Sequence, residues 1–372
     1  MKAVIWVQHL LGTGHTVRAA AIGEALTARG VDVTMVLGAP PPPVLDLSAF
    51  RTVTLTPVLA ADATFAALAT PDGRPHAAVL AERRDAFAAV VAETRPDILL
   101  VETFPLGRRQ FADEILPVLG ALPAPRPLVA SSVRDVLVRK PAPKAEAMAA
   151  LARAHFDLVL VHADPRFVTL GDSFAPADGL ADLIRYTGFV HASPRPSAGT
   201  DGAGEVVVSC GGGAVGAALV DAAIAAAPQT PAPWRILLPP GLMDRAADWR
   251  AAAPACVTLE PNRPDFRALL SRASLSISQA GYNTALDVLA AGVRAIFVPF
   301  AAHAETEQTD RAAALAARGL ADVVAERDLS GPVLAAAVRD ALARPAPARP
   351  AIDLAGAAGA ADILIKEARC RP

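Results

Sequence analysis

A chain of 372 residues that is 53% apolar, with a formal net charge of -2, has material for two buried cores and gives no electrostatic footprint for nucleic acid. Its three cysteines, Cys210, Cys256 and Cys370, are too few and too scattered for a disulfide framework or a zinc site. No apolar run approaches the ~18 residues of a membrane span, and the one after Lys2 is broken at Gln8 and His9, too soon for an export signal, so a soluble cytoplasmic protein is the default expectation.

The first predicted strand, Val4–Val7, runs through Gly12-Thr13-Gly14-His15 into a helix that continues to Arg29 and stops at Gly30. Within that helix Val17, Ala21 and Ala25 form one stripe, flanked by Ile22 and Leu26, at core-facing spacing. A second strand is predicted from Val31 to Leu37, ahead of a stiff Pro40–Pro43 loop. The runs Ile98–Val101, Leu128–Ala130 and Leu158–Val161 have the length and near-continuous apolarity of parallel strands buried on both faces. The charged segments Glu102–Arg109 and Ser131–Asp135 follow two of them. Tyr186–Val190 closes a first domain, residues 1–190, and the polar stretch 191–204 reads as a linker. A second domain, 205–345, repeats the logic: Val206–Ser209 leads into the Gly211–Gly216 loop, and Ile236–Leu238, Cys256–Leu259, Leu275–Ser278 and Ala295–Val298 are strands with helices between. Residues 346–372 contain one last helix, about Leu354 to Ala368, placed to cross back to the first domain.

Two strand-to-glycine-to-helix units predict two α/β domains, each presenting backbone N–H groups at a helix N-terminus. Gly12-Thr13-Gly14-His15 is not a P-loop, because the Lys-Ser/Thr is missing. It also fails as a dinucleotide fingerprint: the third Gly is absent and the second strand ends Leu37-Gly38-Ala39, without an acidic ribose ligand. A tight turn with His15 as a cap is the plain alternative; its place at the C-terminal edge of a parallel sheet, where such sheets bind ligands, favours a functional role. The glycines of the Gly211–Gly216 loop let backbone approach a diphosphate, against the alternative of a flexible turn. In Ser278–Thr284, Asn283 and Thr284 are placed to cap a helix and bond a phosphate, and Asp287, one turn on, to accept from ribose hydroxyls. Glu305–Gln308 follow the next strand edge, where the hydroxyls of a sugar would be read. The charges at Glu102, Arg108, Arg109, Arg134 and Asp135 either face the ligand or form a structural ion network, with equal weight. No Asp-x-Asp pair occurs, so a diphosphate would be stabilised by helix N-termini and backbone donors.

Together these residues resemble the glycosyltransferases of GT-B type. Ser278–Thr284, Gly292, Val298-Pro299-Phe300, Glu307-Gln308 and Gly319 are similar to the C-terminal domain of glycosyltransferase family 28. Gln8–His15, Glu102–Gln110, Ser131–Asp135, Val161–Pro165 and Tyr186–Gly188 resemble a bacterial family of predicted glycosyltransferases, over nearly the whole chain. The resemblance implies two Rossmann-like, doubly wound parallel-sheet domains facing a central cleft. It also implies a nucleotide-diphosphate sugar, UDP-linked, held mainly by the second domain, with an acceptor of unassigned identity held by the first. Asp287 stands where that family has a ribose-binding Glu, Gly213 where relatives often carry Ser, and Phe189-Val190 where Asn-Pro commonly follows Thr-Gly.

The expected activity is therefore a metal-independent, inverting glycosyl transfer with no cofactor. His15 is the expected general base, with an ordinary imidazole pKa near ~6.5 and a helix dipole that disfavours the imidazolium. Ser209, Gly211, Gly212, Gly213, Gln279, Gly281, Asn283, Thr284, Asp287, Glu307 and Gln308 are the expected donor residues. Gly12, Gly14, Arg18, Glu102, Arg108, Arg109, Arg134 and Asp135 are the expected acceptor side. The competing readings are a nucleotide-sugar hydrolase or 2-epimerase on the same fold, and a non-catalytic sugar-nucleotide-binding protein. A peripheral membrane role at the inner face is a further expectation, from Arg108, Arg109, Arg134, Arg139, Lys140 and Lys144 in the first domain, with scattered surface charge as its rival.

Overall fold

The computed structural model describes residues 1–10, 14–41, 45–60, 68–191, 199–211, 216–301, 306–345 and 351–371. The chain divides into two compact units, Met1–Ala192 with Ile352–Pro372, and Ser193–Ala351.

The first unit begins with β1 (Lys2–Val7), α1 (Gly14–Thr27), β2 (Asp32–Leu37) and β3 (Arg51–Thr54), then a two-stranded ribbon, β4 (Leu59–Ala60) with β5 (Leu68–Ala69). It continues through α2 (His76–Thr94), β6 (Ile98–Glu102), α3 (Ala112–Gly120), β7 (Leu128–Arg134), α4 (Ala142–His155), β8 (Leu158–His162) and β9 (Ile184–Tyr186). Seven strands form one parallel sheet in the order β3-β2-β1-β6-β7-β8-β9. Strand order reverses between β1 and β6, so the segments leaving these two strands diverge to opposite faces and open a crevice at their C-terminal ends. The central strands are buried on both faces, which is why they read as unbroken apolar runs.

Three sequence expectations shift here. β7 does not end at Ala130 but runs on through Ser131, Ser132 and Val133 to Arg134, because it is paired with β6 on one side and β8 on the other. Glu102 is likewise the last residue of β6, opposite Ser132, rather than a loop residue. In α1 the buried set is His15, Thr16, Arg18, Ala19, Ala20, Ile22, Gly23 and Leu26; Val17, Ala21 and Ala25 are only half-buried. The reason is tertiary: α1 is packed both on the sheet and on a helix from the far end of the sequence.

The second unit contains β10 (Val206–Ser209), α5 (Ala217–Ala226), β11 (Trp234–Leu238), α6 (Ala246–Ala252), β12 (Val257–Pro261), α7 (Phe266–Leu270) and β13 (Leu275–Ser278). Then come α8 (Tyr282–Ala291), β14 (Ala295–Phe297), α9 (Glu307–Ala316), β15 (Asp322–Val323) and α10 (Gly331–Ala343). Its six-stranded parallel sheet has the order β12-β11-β10-β13-β14-β15, with the reversal between β10 and β13. Within the polar 191–204 stretch, Asp201 pairs with Arg263 at 2.6 Å, so that part is attached to the second unit's sheet edge.

The last helix, α11 (Gly356–Arg369), belongs to the first unit. Ala360, Ala361 and Leu364 join the core beneath α1, and Arg29 donates to Asp362 at 2.6 Å. Gly356 and Gly359 permit this approach: a Cβ on either would lie within 2.4 Å of the Gly188 or Thr187 carbonyl oxygen.

Candidate functional site

The crevice of the first unit is built from the ends of β1 and β6. His15 sits in the first turn of α1, almost fully buried. Its Nδ1 lies 2.9 Å from Glu102 Oε2 and 3.2 Å from the Thr103 hydroxyl. Arg18, one turn further along α1, donates to Glu102 Oε1, so a single buried carboxylate is shared by the imidazole and the guanidinium. Nδ1 facing a carboxylate fixes the proton there and leaves Nε2 as the lone-pair nitrogen. Nε2 has no hydrogen-bond partner among the described residues.

Burial, the largest cause, depresses the His15 pKa to about 3; the charge and hydrogen bond of Glu102 pull it up, while the Arg108 and Arg134 guanidiniums push it down. The expected ordinary value near ~6.5 is thus corrected: desolvation and two cations keep the ring neutral. Burial alone would raise Glu102, but the charge of Arg18 and hydrogen bonds from His15 and Thr103 outweigh it, and its pKa falls below the usual carboxylate range. Glu102 is therefore ionised and His15 neutral at pH 7, the state in which a histidine can accept a proton.

Thr103 adopts a left-handed backbone, φ 67°, a region that a β-branched residue rarely enters. Its hydroxyl bonds Glu102, its N–H donates to the Ser132 carbonyl, and Gly107 leaves room for its methyl: a Cβ there would meet Thr103 Cγ2 at 2.4 Å. These contacts fix a conformation that costs roughly 1–3 kcal/mol. Arg108 is also left-handed, φ 54°, and its Nε donates to the Gln8 carbonyl at 3.3 Å.

Of the expected acceptor-side residues, Glu102 and Arg18 join His15 directly. Arg108 and Arg134 reach it through their charge. Asp135 is buried and accepts from the Val136 N–H at 2.8 Å, a turn-forming role. Arg109 opens a short helical turn before α3, and Gly14 is the first residue of α1. Gly12 lies outside the described residues. The buried partner of Glu102 is Arg18, from α1. Sequence reasoning missed Thr103 and also His162, whose ring bridges the hydroxyls of Ser132 at 2.7 Å and Thr187 at 2.9 Å. Burial, with the Arg18 charge, depresses His162 to about 3 against the pull of Glu102. His162 stands inside the Val161–Pro165 motif, which was the available signal.

The second unit repeats the device at its own reversal point. Gly211 follows β10 with φ 71°, and a Cβ on it would come within 4.0 Å of the Thr284 hydroxyl, so the two loop ends are neighbours. The Ser209 hydroxyl accepts from the Gly211 N–H at 3.3 Å, and the Asn262 side chain donates to the Gly211 carbonyl at 2.9 Å. Gly216 caps α5 at φ 114°; a Cβ there would collide with Cys210, and Gln279 packs alongside. Gly212 and Gly213 lie outside the described residues. Asn283 and Thr284 do not cap α8: Gly281 is the N-cap, in an extended conformation, and the two side chains lie in the first turn. No side chain caps the first-turn N–H groups of α8, donors of the kind an anion at a helix N-terminus would take up.

Asp287 is buried and accepts from Arg267 Nε at 2.6 Å. Glu307 is also buried and paired, with Arg311 at 2.9 Å, while Arg311 donates to the Ala280 carbonyl at 2.7 Å. Gln308 accepts from the Phe300 N–H at 3.1 Å. The expected sugar readers thus hold together the loops after β13 and β14. Arg267, Arg311 and Asn262 were missed; only Arg311 had a sequence signal, its i,i+4 spacing from Glu307.

Residues 259–364 match the glycosyltransferase family 28 C-terminal domain. A stretch of 84 residues is 42% identical to the UDP-N-acetylglucosamine--N-acetylmuramyl-(pentapeptide) pyrophosphoryl-undecaprenol N-acetylglucosamine transferase of Burkholderia cenocepacia (strain HI2424), covering 23% of this chain and 23% of that one. The aligned stretch thus spans about a quarter of the relative's length. Over whole chains, MurG of Acinetobacter baumannii superposes with TM-score 0.62 at 20% identity, covering 98% of this chain and 100% of that one. The spinosyn rhamnosyltransferase SpnG superposes with TM-score 0.61 at 19% identity, covering 100% and 96%. The fold is that of the GT-B glycosyltransferases.

Proposed function

We propose that the protein is an inverting glycosyltransferase that moves a sugar from a UDP-linked donor to an acceptor hydroxyl without a metal ion. The observation that carries this reading is the His15–Glu102 pair at the reversal point of the first sheet, with Nε2 left as acceptor and Nδ1–H held by a buried carboxylate. As the acceptor oxygen attacks the anomeric carbon, His15 Nε2 takes its proton and the bond from that carbon to the diphosphate breaks. Glu102 then stabilises the imidazolium. The negative charge leaves with the diphosphate and is met by the first-turn N–H groups of α8 and the backbone at Gly211, within the second unit. Asp287, steadied by Arg267, holds the ribose hydroxyls. The family 28 domain and the relative's UDP-N-acetylglucosamine donor support the choice of a UDP-sugar.

Metal independence is read from the sequence, which has no Asp-x-Asp pair. Among the described residues no helix is long and apolar enough to cross a membrane. A lipid-phosphate acceptor docking on the basic residues of the first unit would place the protein peripherally at a membrane. The test is a panel of UDP-sugars incubated with candidate acceptors, with and without EDTA, following UDP release and product mass. Acceptor-dependent, EDTA-resistant transfer supports the reading. UDP release that acceptors never alter overturns it in favour of hydrolysis, and restoration by Mn²⁺ or Mg²⁺ after chelation overturns the metal-free step.

A further inference from the structure

Beneath the ends of β1, β2 and β3 lies a fully buried polar network that the proposed chemistry does not use. Arg83, from α2, has all five guanidinium N–H groups occupied. Nε donates to Glu114 Oε2 at 2.6 Å, and Nη2 to Glu114 Oε1 at 3.3 Å and Gln8 Oε1 at 2.8 Å. Nη1 donates to the carbonyls of Gly38 at 2.9 Å and Thr56 at 2.8 Å. Glu114, from α3, also accepts from the Trp6 indole at 2.7 Å. Because Arg83 fixes which end of the Gln8 carboxamide is oxygen, its Nε2 donates to the carbonyls of His9 at 2.6 Å and Val58 at 2.9 Å. One arginine therefore reaches the segments leaving three strands.

A buried ion pair of this kind adds little net stability, since desolvation offsets the attraction and apolar residues of similar volume serve as well. What it adds is a defined geometry, and that geometry leads to the base. The His9 ring, on the segment held by Gln8, reaches the Thr16 hydroxyl in the first turn of α1 at 3.0 Å, next to His15. We propose that Arg83, acting through Gln8, is a positioning residue for His15: it fixes Gln8 and His9, and the His9–Thr16 contact holds the first turn of α1 against Glu102. The catalytic part of this statement rests on the glycosyl-transfer reading above.

Gly38 offers a probe of the network that touches neither charge nor site. A Cβ on it would fall 1.9 Å from Gln8 Oε1 and 2.9 Å from Arg83 Nη2, and its φ is outside the left-handed region, so an alanine is accommodated only by displacing the carboxamide. The variants are Gly38→Ala, Gln8→Met and the charge-free double Arg83→Met/Glu114→Leu. Gly120→Ala is the control, because nothing lies within 4 Å of its Cβ. The imidazole ¹⁵N spectrum of His15 reports its tautomer without reference to any substrate, calorimetry gives the Kd of UDP, and UDP release from the donor gives turnover.

In the wild type and in Gly120→Ala, His15 is expected as the Nδ1–H tautomer. In each folded network variant the ring signals move toward a tautomer mixture and turnover falls at least ~10-fold, the lower edge of an orientation effect, with the Kd of UDP unchanged. Wild-type His15 signals in the folded variants overturn the proposal, as does a turnover loss that merely follows loss of folded protein. If the tautomer shifts but the wild type turns over no UDP-sugar, the positioning role stands and the glycosyl-transfer reading falls. Gly38→Ala and Gln8→Met keep the ion pair and the double variant removes it, so a folding failure in one class leaves the other to decide.

Discussion

Replacing Glu102 by Gln separates the two duties of that carboxylate. The side chains of Arg18 and Glu102 are 2% and 1% exposed, so the pair is out of reach of solvent screening. Neutralising the acid removes the charged partner that the Arg18 guanidinium has in Glu102, and breaking a buried pair from one side costs about 3–5 kcal/mol. The amide also ends the preference for Nδ1–H on His15 and removes the charge that stabilises the imidazolium, which should lower turnover by ~10²–10⁴. Adding Arg18→Met removes the buried guanidinium charge as well, so the double variant should regain most of the stability and none of the turnover. Trp6 is the single tryptophan of the first unit; with Trp234 and Trp249 changed to Phe, its fluorescence in denaturant reads that unit alone. Destabilisation below about 1 kcal/mol in the single variant would refute the shared-carboxylate account. Recovery of turnover together with stability in the double variant would make Glu102 purely structural.

His15→Ala should cut turnover by ~10²–10⁴ while leaving the Kd of UDP unchanged; a variant altered only in acceptor KM makes His15 a binding residue. Asp287→Ala should weaken UDP binding by ~1.5–3 kcal/mol, through loss of charged hydrogen bonds, and calorimetry showing unchanged affinity removes Asp287 from the ribose. His15 and His162 are both depressed from 6.5 to about 3, so between these values the unfolded chain binds more protons than the native one. Their contribution is present above pH 6.5 and lost as pH falls, by up to ~1.4 kcal/mol per pH unit for each ring; His162→Gln should flatten the stability profile between pH 6.5 and 5, and an unchanged slope contradicts the burial argument. Flotation with anionic liposomes at low and high salt tests the basic residues of the first unit: salt-sensitive binding supports the peripheral role, and its absence leaves them as scattered surface charge.

The alternation of apolar runs with helical segments determined two parallel-sheet units, because strands buried on both faces must be apolar throughout and their crossover helices must lie between them in sequence. The two glycine turns marked the joints between β1 and α1 and between β10 and α5, beside the two reversal points. His15 was legible because the residue after a strand-turn reaches the helix N-terminus whatever the rest of the chain does. Sequence left Glu102 among several charges after strands, since nothing local distinguishes Arg18 from Arg108 as its partner. That choice came from pairing: β6 beside β1 sets Glu102 under the first turn of α1, where Arg18 lies one turn from His15. The same holds for Asp287, whose partner Arg267 stands 20 positions away on another helix, and for Arg83, whose contacts at Gln8, Gly38, Thr56 and Glu114 come from four separate elements and loops. The protonation state of His15 was also tertiary. A sequence assigns an imidazole its solution pKa, whereas desolvation beneath Arg108 and Arg134 exists only once the loops of β1, β6 and β7 have been brought to one edge.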